Sequence, residues 1–349
     1  MRTWRNEGRL IDRLGFLSQA VDWAAPAIVV LLTAFLLLER TPTREPLLYA
    51  ALVGMLAVLT WVSARSRGAY GMWALYIGGF AMFSLLRSFT DETGIPTHIG
   101  DLVEAEKAVA FGTVPTVWLQ GQFFDPTNIG WLDRATTYVH WSYFALPHIF
   151  AAYLYFQRRD LFQRYVLLFV GVLTVGLVMY TVFPAAPPWV ASLRGQLDPT
   201  YKVVTEVGSE LNVNIYQYFD NRLRDSNPVA AMPSIHMAVS FAVMLIAFRR
   251  SFVLGFMALL YCFAMGFSLV YAGEHYIIDI GAGILVTLLV YAAMETWFHL
   301  QERRTGRVMA PMEVEGDPGR GSAPLPQPLA VPVEAQAGEE ASYAVSRRD

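Results

Sequence analysis

The chain has 349 residues, of which 55% are hydrophobic and only 16% charged, with a formal net charge of −3. That balance excludes an ordinary soluble domain and points to a polytopic membrane protein, with nothing to suggest a nucleic-acid partner. At about 20 residues per span, the length holds roughly eight spans with their loops and no second sizeable soluble domain.

The amino terminus carries Arg2, Arg5, Arg9 and Arg13 interspersed with Trp4, Leu10, Leu14, Phe16 and Leu17. It has no uninterrupted apolar core of signal-peptide type, so residues 1–21 read as a cytoplasmic interfacial segment. Eight apolar stretches follow, at about 22–38, 46–63, 71–86, 138–156, 164–183, 235–248, 252–272 and 277–298. They define an all-α membrane bundle over residues 22–298. The single cysteine, Cys262, falls in the seventh stretch, so no intramolecular disulfide is possible.

Two long loops interrupt the spans. In the first, Leu102, Ala105, Val109 and Gly112 recur at helical spacing against Asp101, Glu104 and Lys107, which predicts an interfacial helix followed by the aromatic anchors Trp118, Phe123 and Phe124. The second opens with Pro184-Ala185-Ala186-Pro187-Pro188-Trp189 and closes on Asn221-Arg222-Leu223-Arg224-Asp225. Residues 299–349, rich in Pro, Gly, Ala and Glu from about Thr305 onward, read as a cytoplasmic, largely disordered tail.

With a cytoplasmic amino terminus, every short connection on that side is basic: Arg65 and Arg67, then Arg158, Arg159 and Arg164, then Arg249 and Arg250, then Arg303, Arg304 and Arg307. The positive-inside rule therefore predicts both termini in the cytoplasm and both long loops outside it.

The chemistry concentrates at the later spans. The run Pro233-Ser234-Ile235-His236 is answered 39 positions after its histidine by Gly273-Glu274-His275-Tyr276-Ile277-Ile278-Asp279. Two spans and a tight turn between the motifs return the chain to the face it left, which predicts both histidines at one membrane surface. His275 and Asp279 are four apart, so a carboxylate on the same helix face can hold one imidazole nitrogen as donor and leave the other free to attack. Ser234 reads as a helix cap whose first turn faces an anion, with His236 as proton donor beside it. Phosphoryl oxygens need cations or donors around them, and Arg222 and Arg224 lead the candidates, with Arg194 and Lys202 as weaker ones. His140, His148 and His299 read as helix-packing partners, and Glu274 as an exposed structural acid.

The run Ala231-Met232-Pro233-Ser234-Ile235-His236, with His275-Tyr276-Ile277-Ile278-Asp279 and Pro187-Pro188-Trp189, resembles the type-2 phosphatidic acid phosphatase superfamily, and within it the inositol phosphorylceramide synthase (inositolphosphotransferase-like) branch. The resemblance covers roughly residues 80–298. It implies a metal-independent enzyme without cofactor, in which His275 attacks phosphorus to form a phosphohistidine, Asp279 orients it, and His236 protonates the leaving oxygen. The sequence departs from the superfamily's phosphatases where an arginine is expected six residues before His275. Leu269 stands there, with Tyr271 nearby as a substitute contact, and the first lysine-arginine-proline motif is absent.

The expected function is therefore transfer of a phosphoryl or phospho-alcohol headgroup to or from a lipid at the extracytoplasmic face of the plasma membrane. The expected partners are a lipid phosphate or phospholipid, the bilayer, and an alcohol acceptor such as inositol or another polyol. A lipid phosphate or polyprenyl phosphate phosphatase is the alternative, and a lipid transporter the distant one.

Overall fold

The structure, a computed structural model, describes residues 69–87, 90, 94–211 and 229–305. The expected amino-terminal segment, the first two spans, Arg222, Arg224 and the tail beyond Thr305 lie outside the described residues. Among those described, eleven α-helices follow one another: α1 Ala69–Arg87, α2 Gly100–Val109, α3 Pro115–Phe123, α4 Trp131–Ser142, α5 Leu146–Gln157, α6 Arg159–Val182, α7 Pro188–Leu193, α8 Val203–Glu210, α9 Ile235–Arg250, α10 Phe252–Tyr271 and α11 Ile277–Thr305. No β-strand occurs among them, and the fold is the expected helical bundle. Three helical segments, Arg159–Val182, Phe252–Tyr271 and Ile277–Leu300, are long and apolar enough to cross a membrane, and Gly71–Ser84 is a shorter apolar helix. The chain is an integral membrane protein.

Helix α6 is the axis of the bundle, packed against α1, α5, α9 and α11. Its Phe162, Tyr165, Phe169 and Leu173 are buried with Tyr76 of α1 and Ile246 of α9. Glycines let the helices close: a Cβ at Gly79 would meet Val170 Cγ2 at 2.8 Å, and one at Gly171 would meet Val290 Cγ1 at 2.7 Å. Close backbone approach at small residues is how membrane helices gain packing energy, since lipid offers no hydrophobic drive between them. Helix α9, the short sixth span, is buried along almost its whole length. Being enclosed by its neighbours, it does not need a lipid-facing run of full length.

Three expectations need correction. The stretch 138–156 is not one helix, because α4 ends at Ser142 and α5 begins at Leu146. Tyr143, Phe144 and Ala145 instead donate their N–H groups to carbonyls three residues back, and Pro147, in the first turn of α5, has no N–H with which to continue the ladder through the break. The first long loop holds two helices, α2 and α3, separated by Phe111 and Gly112, both at positive φ. The buried face of α2 is also not the expected one: Leu102, Val103 and Glu106 are buried while Ala105 and Val109 are exposed. Finally, α11 runs on to Thr305, so residues 299–305 of the expected tail are helical. No Gly or Pro occurs between Gly283 and Gly306 to end the helix sooner.

The two ends of the bundle differ in chemistry. At one end Glu295 of α11 receives Arg164 of α6 at 2.5 Å and also Arg249 of α9. At the opposite end of α9 and α11 stand His236 and Asp279. There the Pro184–Ala186 run lies between the two loops: His98 N–H donates to Pro184 O at 2.9 Å, Ala186 N–H to His98 O at 3.0 Å, Ala185 N–H to Val229 O at 2.7 Å, and Ala231 N–H to Ala185 O at 3.0 Å. The proline element thus ties the first loop to the approach of the Pro-Ser-Ile-His run.

Candidate active site

Ser234 caps α9, as its spacing predicts: its Oγ accepts the Met237 N–H at 3.3 Å. Its own N–H donates to the backbone carbonyl of Asp279 at 3.0 Å, which locks the start of α9 to the first turn of α11. The Tyr180 hydroxyl, from the end of α6, donates to Pro233 O at 2.9 Å. One turn beyond Asp279, Gly283 passes so close to α9 that a Cβ there would sit 2.5 Å from Ser234 O. Only glycine permits that crossing.

On the other side, α10 stops at Tyr271 and the chain reverses through Gly273, whose φ of +75° favours glycine and whose missing side chain makes room for Tyr201 O. Glu274 and His275 both donate their N–H groups to Leu269 O, at 3.1 and 3.2 Å, closing the end of α10. This turn delivers His275 inward, and α11 begins two residues later. The ring centroids of His236 and His275 are 5.7 Å apart. His275 Nδ1 lies 3.4 Å from Asp279 Oδ2, and that oxygen also accepts the Tyr276 N–H at 2.9 Å. His275 and Asp279 are both buried. With Nδ1 turned to the carboxylate, Nε2 is the nitrogen left for an incoming substrate. The two motifs, 39 residues apart, form one constellation with Ser234 beneath it.

Several residues in or around this constellation carried no such role in the sequence reading. His140 of α4 is buried with its ring 4.7 Å from that of His236, and Tyr143 lies 4.4 Å from the same ring. His140 thus packs against the ring of His236, His148 is a packing partner of Tyr76 at 2.9 Å, and His299 is exposed near Glu302. Glu274 is not an exposed acid. It is largely buried and pairs with Lys202 at 3.6 Å, and Lys202 in turn lies 5.2 Å from the Trp189 ring centre. Burial acts to raise the Glu274 carboxyl, but the Lys202 charge, with His140 and His275 adding to it, outweighs that and holds it below the usual carboxylate range.

The reversing turn is braced by Gln120 of α3, which donates to Tyr201 O at 2.9 Å and Tyr271 O at 2.8 Å and accepts the Tyr201 N–H at 2.8 Å. The buried Glu106 of α2 accepts the N–H groups of Ile277 and Ile278 at the start of α11. Single polar residues on short helices leave no signature in the sequence that would have singled them out.

The remaining candidates sit apart from this cluster. Tyr271 donates its hydroxyl to the buried Asp133 of α4, so it braces α10 against α4. Arg194 is an exposed residue closing α7. Among the described residues, no group of three or more His, Cys, Asp or Glu side chains is arranged to hold a metal ion.

Comparison with known proteins places this geometry in context. Over 158 residues the chain is 31% identical to a phosphoinositol dihydroceramide synthase of Bacteroides thetaiotaomicron, a match covering 43% of this chain. The chain thus spans about half, 51%, of the length of that curated relative. No solved structure matches. A family model described as the PAP2 superfamily matches residues 101–293, a stretch that contains every one of the paired-motif residues and more than half of the chain. The chain belongs to the PAP2 superfamily.

Proposed function

We propose that this protein is a metal-independent lipid phosphotransferase that moves a phosphoryl or phospho-alcohol headgroup through a phosphohistidine on His275. The observation that carries the reading is the convergence of His236, His275 and Asp279 at one end of the bundle, with the two imidazoles 5.7 Å apart. Two rings at that separation can flank a phosphorus atom between them.

In the first step His275 Nε2 attacks phosphorus and the bond from phosphorus to the leaving oxygen breaks, while protonated His236 gives its proton to that oxygen. Asp279, against Nδ1, keeps the imidazole in the attacking tautomer and stabilises the positive charge that develops on it. In the second step an acceptor hydroxyl loses its proton to His236 and its oxygen attacks phosphorus, and the N–P bond breaks. An anionic phosphate beside His236 favours its protonated form, which the first step requires. Lys202, held by Glu274 directly before His275, is the described cation we assign to the phosphoryl oxygens alongside Arg222 and Arg224.

The name of the Bacteroides relative points to a phosphoinositol headgroup and a dihydroceramide. The same chemistry on this chain takes a phospholipid donor and a lipid or polyol hydroxyl as acceptor, with inositol as one such group. If water replaces the alcohol in the second step, the identical phosphoenzyme gives a lipid phosphatase. We further place the site on the extracytoplasmic face of the plasma membrane with both termini in the cytoplasm. The Arg164–Glu295–Arg249 cluster at the other end of the same helices supports that sidedness.

The test is a paired assay on the purified protein in lipid vesicles containing phosphatidylinositol or phosphatidic acid with ceramide or inositol added, reading headgroup exchange and free phosphate release together. Exchange should exceed release, acid-labile phosphate should be trapped on the wild type, and His275→Ala should abolish both. A folded His275→Ala protein that turns over normally sinks the reading.

A further inference from the structure

We infer that Glu106, from the first long loop, is a positioning residue that holds the turn carrying His275 and Asp279. The inference rests on the reading of those two residues given above. Helix α11 starts at Ile277, directly after Tyr276, and Tyr276 has no side-chain oxygen placed as a local cap for the first turn. The cap comes from 171 residues away instead. Glu106 Oε1 accepts the Ile277 N–H at 2.9 Å and Glu106 Oε2 the Ile278 N–H at 3.2 Å. Together with the Tyr276 N–H bonded to Asp279 at 2.9 Å, the three amides following His275 are consumed by two carboxylates.

Glu106 is fully buried, at 0% exposure, although it sits on a ten-residue helix whose neighbours Asp101, Glu104 and Ala105 are exposed. A buried carboxylate is costly unless its oxygens are satisfied, and here two charge-assisted backbone bonds at the positive end of a helix supply that. Burial raises the Glu106 carboxyl, the two backbone bonds lower it, and the nearby Asp279 charge raises it again. A Ser or Thr at the helix start would accept only one amide, that of the second or third helical residue, whereas the Glu106 carboxylate takes the first two at once. What the long-range cap adds is a rigid connection between the first loop and the backbone that bears both functional side chains. The turn is thereby fixed from outside as well as from within.

The experiment compares Glu106→Gln with the wild type, with Glu104→Gln as an exposed control on the same helix and His275→Ala alongside. Gln keeps the size but turns an N–H2 toward one backbone N–H, so one bond is lost and the turn rotates. The expected result is a fall in kcat of roughly tenfold to a hundredfold, with KM for short-chain phosphatidic acid unchanged within about twofold, and no change in Glu104→Gln. A wild-type kcat per folded Glu106→Gln molecule, or a raised KM with kcat retained, overturns the inference while His275→Ala remains dead. Turnover retained by His275→Ala removes the underlying reading instead. Amide hydrogen exchange on the wild type gives a second check that needs no variant to fold. Ile277 and Ile278 should exchange as slowly as the interior of α11, and fast exchange at both refutes the cap.

Discussion

Replacing Gly283 by alanine is expected to damage the site without touching any group that does chemistry. The added Cβ would lie 2.5 Å from Ser234 O and 3.4 Å from Ala238 N. The closest ordinary C···O approach is about 3.3 Å, so the methyl intrudes by about 0.8 Å on backbone that no rotamer change can move aside. Helices α9 and α11 must part by a comparable distance where Ser234 N–H donates to Asp279 O. A displacement of that size in a catalytic constellation costs on the order of a hundredfold in rate, and the overpacking costs roughly 1–3 kcal/mol of stability. The control is Gly281→Ala, two residues away on the same helix, where a Cβ meets nothing within 4 Å. That change should leave turnover intact and stabilise the helix by about 0.5–1 kcal/mol. Headgroup exchange in vesicles and thermal unfolding in detergent read the two effects separately. If Gly283→Ala matches Gly281→Ala in both, the crossing of α9 and α11 does not set the geometry of the site.

The other predictions address separate links. His236→Ala should slow a lipid substrate far more than an aryl phosphate ester, whose leaving oxygen needs no proton, and equal losses on both would remove the acid role from His236. Because the Glu274 carboxyl is held below its usual range, the Lys202–Glu274 pair should stabilise the protein above the ordinary carboxylate pKa and lose that effect as pH falls through the lowered value. Lys202→Met should accordingly lower the unfolding temperature at neutral pH and leave it unchanged in strong acid, and an equal drop at both would show that packing, not charge, is at work. For sidedness, single cysteines at Asp198 and Ser251 in a Cys262→Ala background should react oppositely with an impermeant thiol reagent in intact cells. Labelling of Ser251→Cys alone would place the chemistry in the cytoplasm.

What was legible in the sequence was what depends on short stretches of chain. His275 and Asp279 are neighbours on one helical turn, Ser234 caps the helix it begins, and the distance from His236 to His275 counts out two crossings. Each of these follows from local periodicity and the thickness of a bilayer, so the pairing of the two histidines needed no tertiary information. The break between α4 and α5 was missed for a different reason. Summed hydropathy over 138–156 is high throughout, yet it takes no account of the hydrogen bond that Pro147 cannot donate, and three residues of tight turn resolve that deficit. The face of α2 was misjudged because a carboxylate at 106 counts as polar in any amphipathic pattern. Its burial becomes affordable only when the amides of Ile277 and Ile278 arrive from the far end of the chain.

The same distinction separates the groups to which we assign the chemistry from those that set their geometry. The two histidines and the aspartate come from two contiguous motifs on α9 and α11, yet their relative placement is decided by residues scattered along the rest of the chain. Gly283 sets how closely α9 and α11 approach, Gln120 and Gly273 shape the turn before His275, and Glu106 pins the turn after it. His140 of α4 and Tyr143, just beyond its end, wall the ring of His236. Two loops outside the paired motifs thus fix their relative placement, since a 5.7 Å gap between the two imidazoles survives only if both helix starts are tied to the same frame. That frame is the belt of backbone bonds linking His98, Pro184–Ala186 and Val229–Ala231. Variation in the first loop is therefore a route to altering the relative placement of the two motifs without changing the motifs themselves.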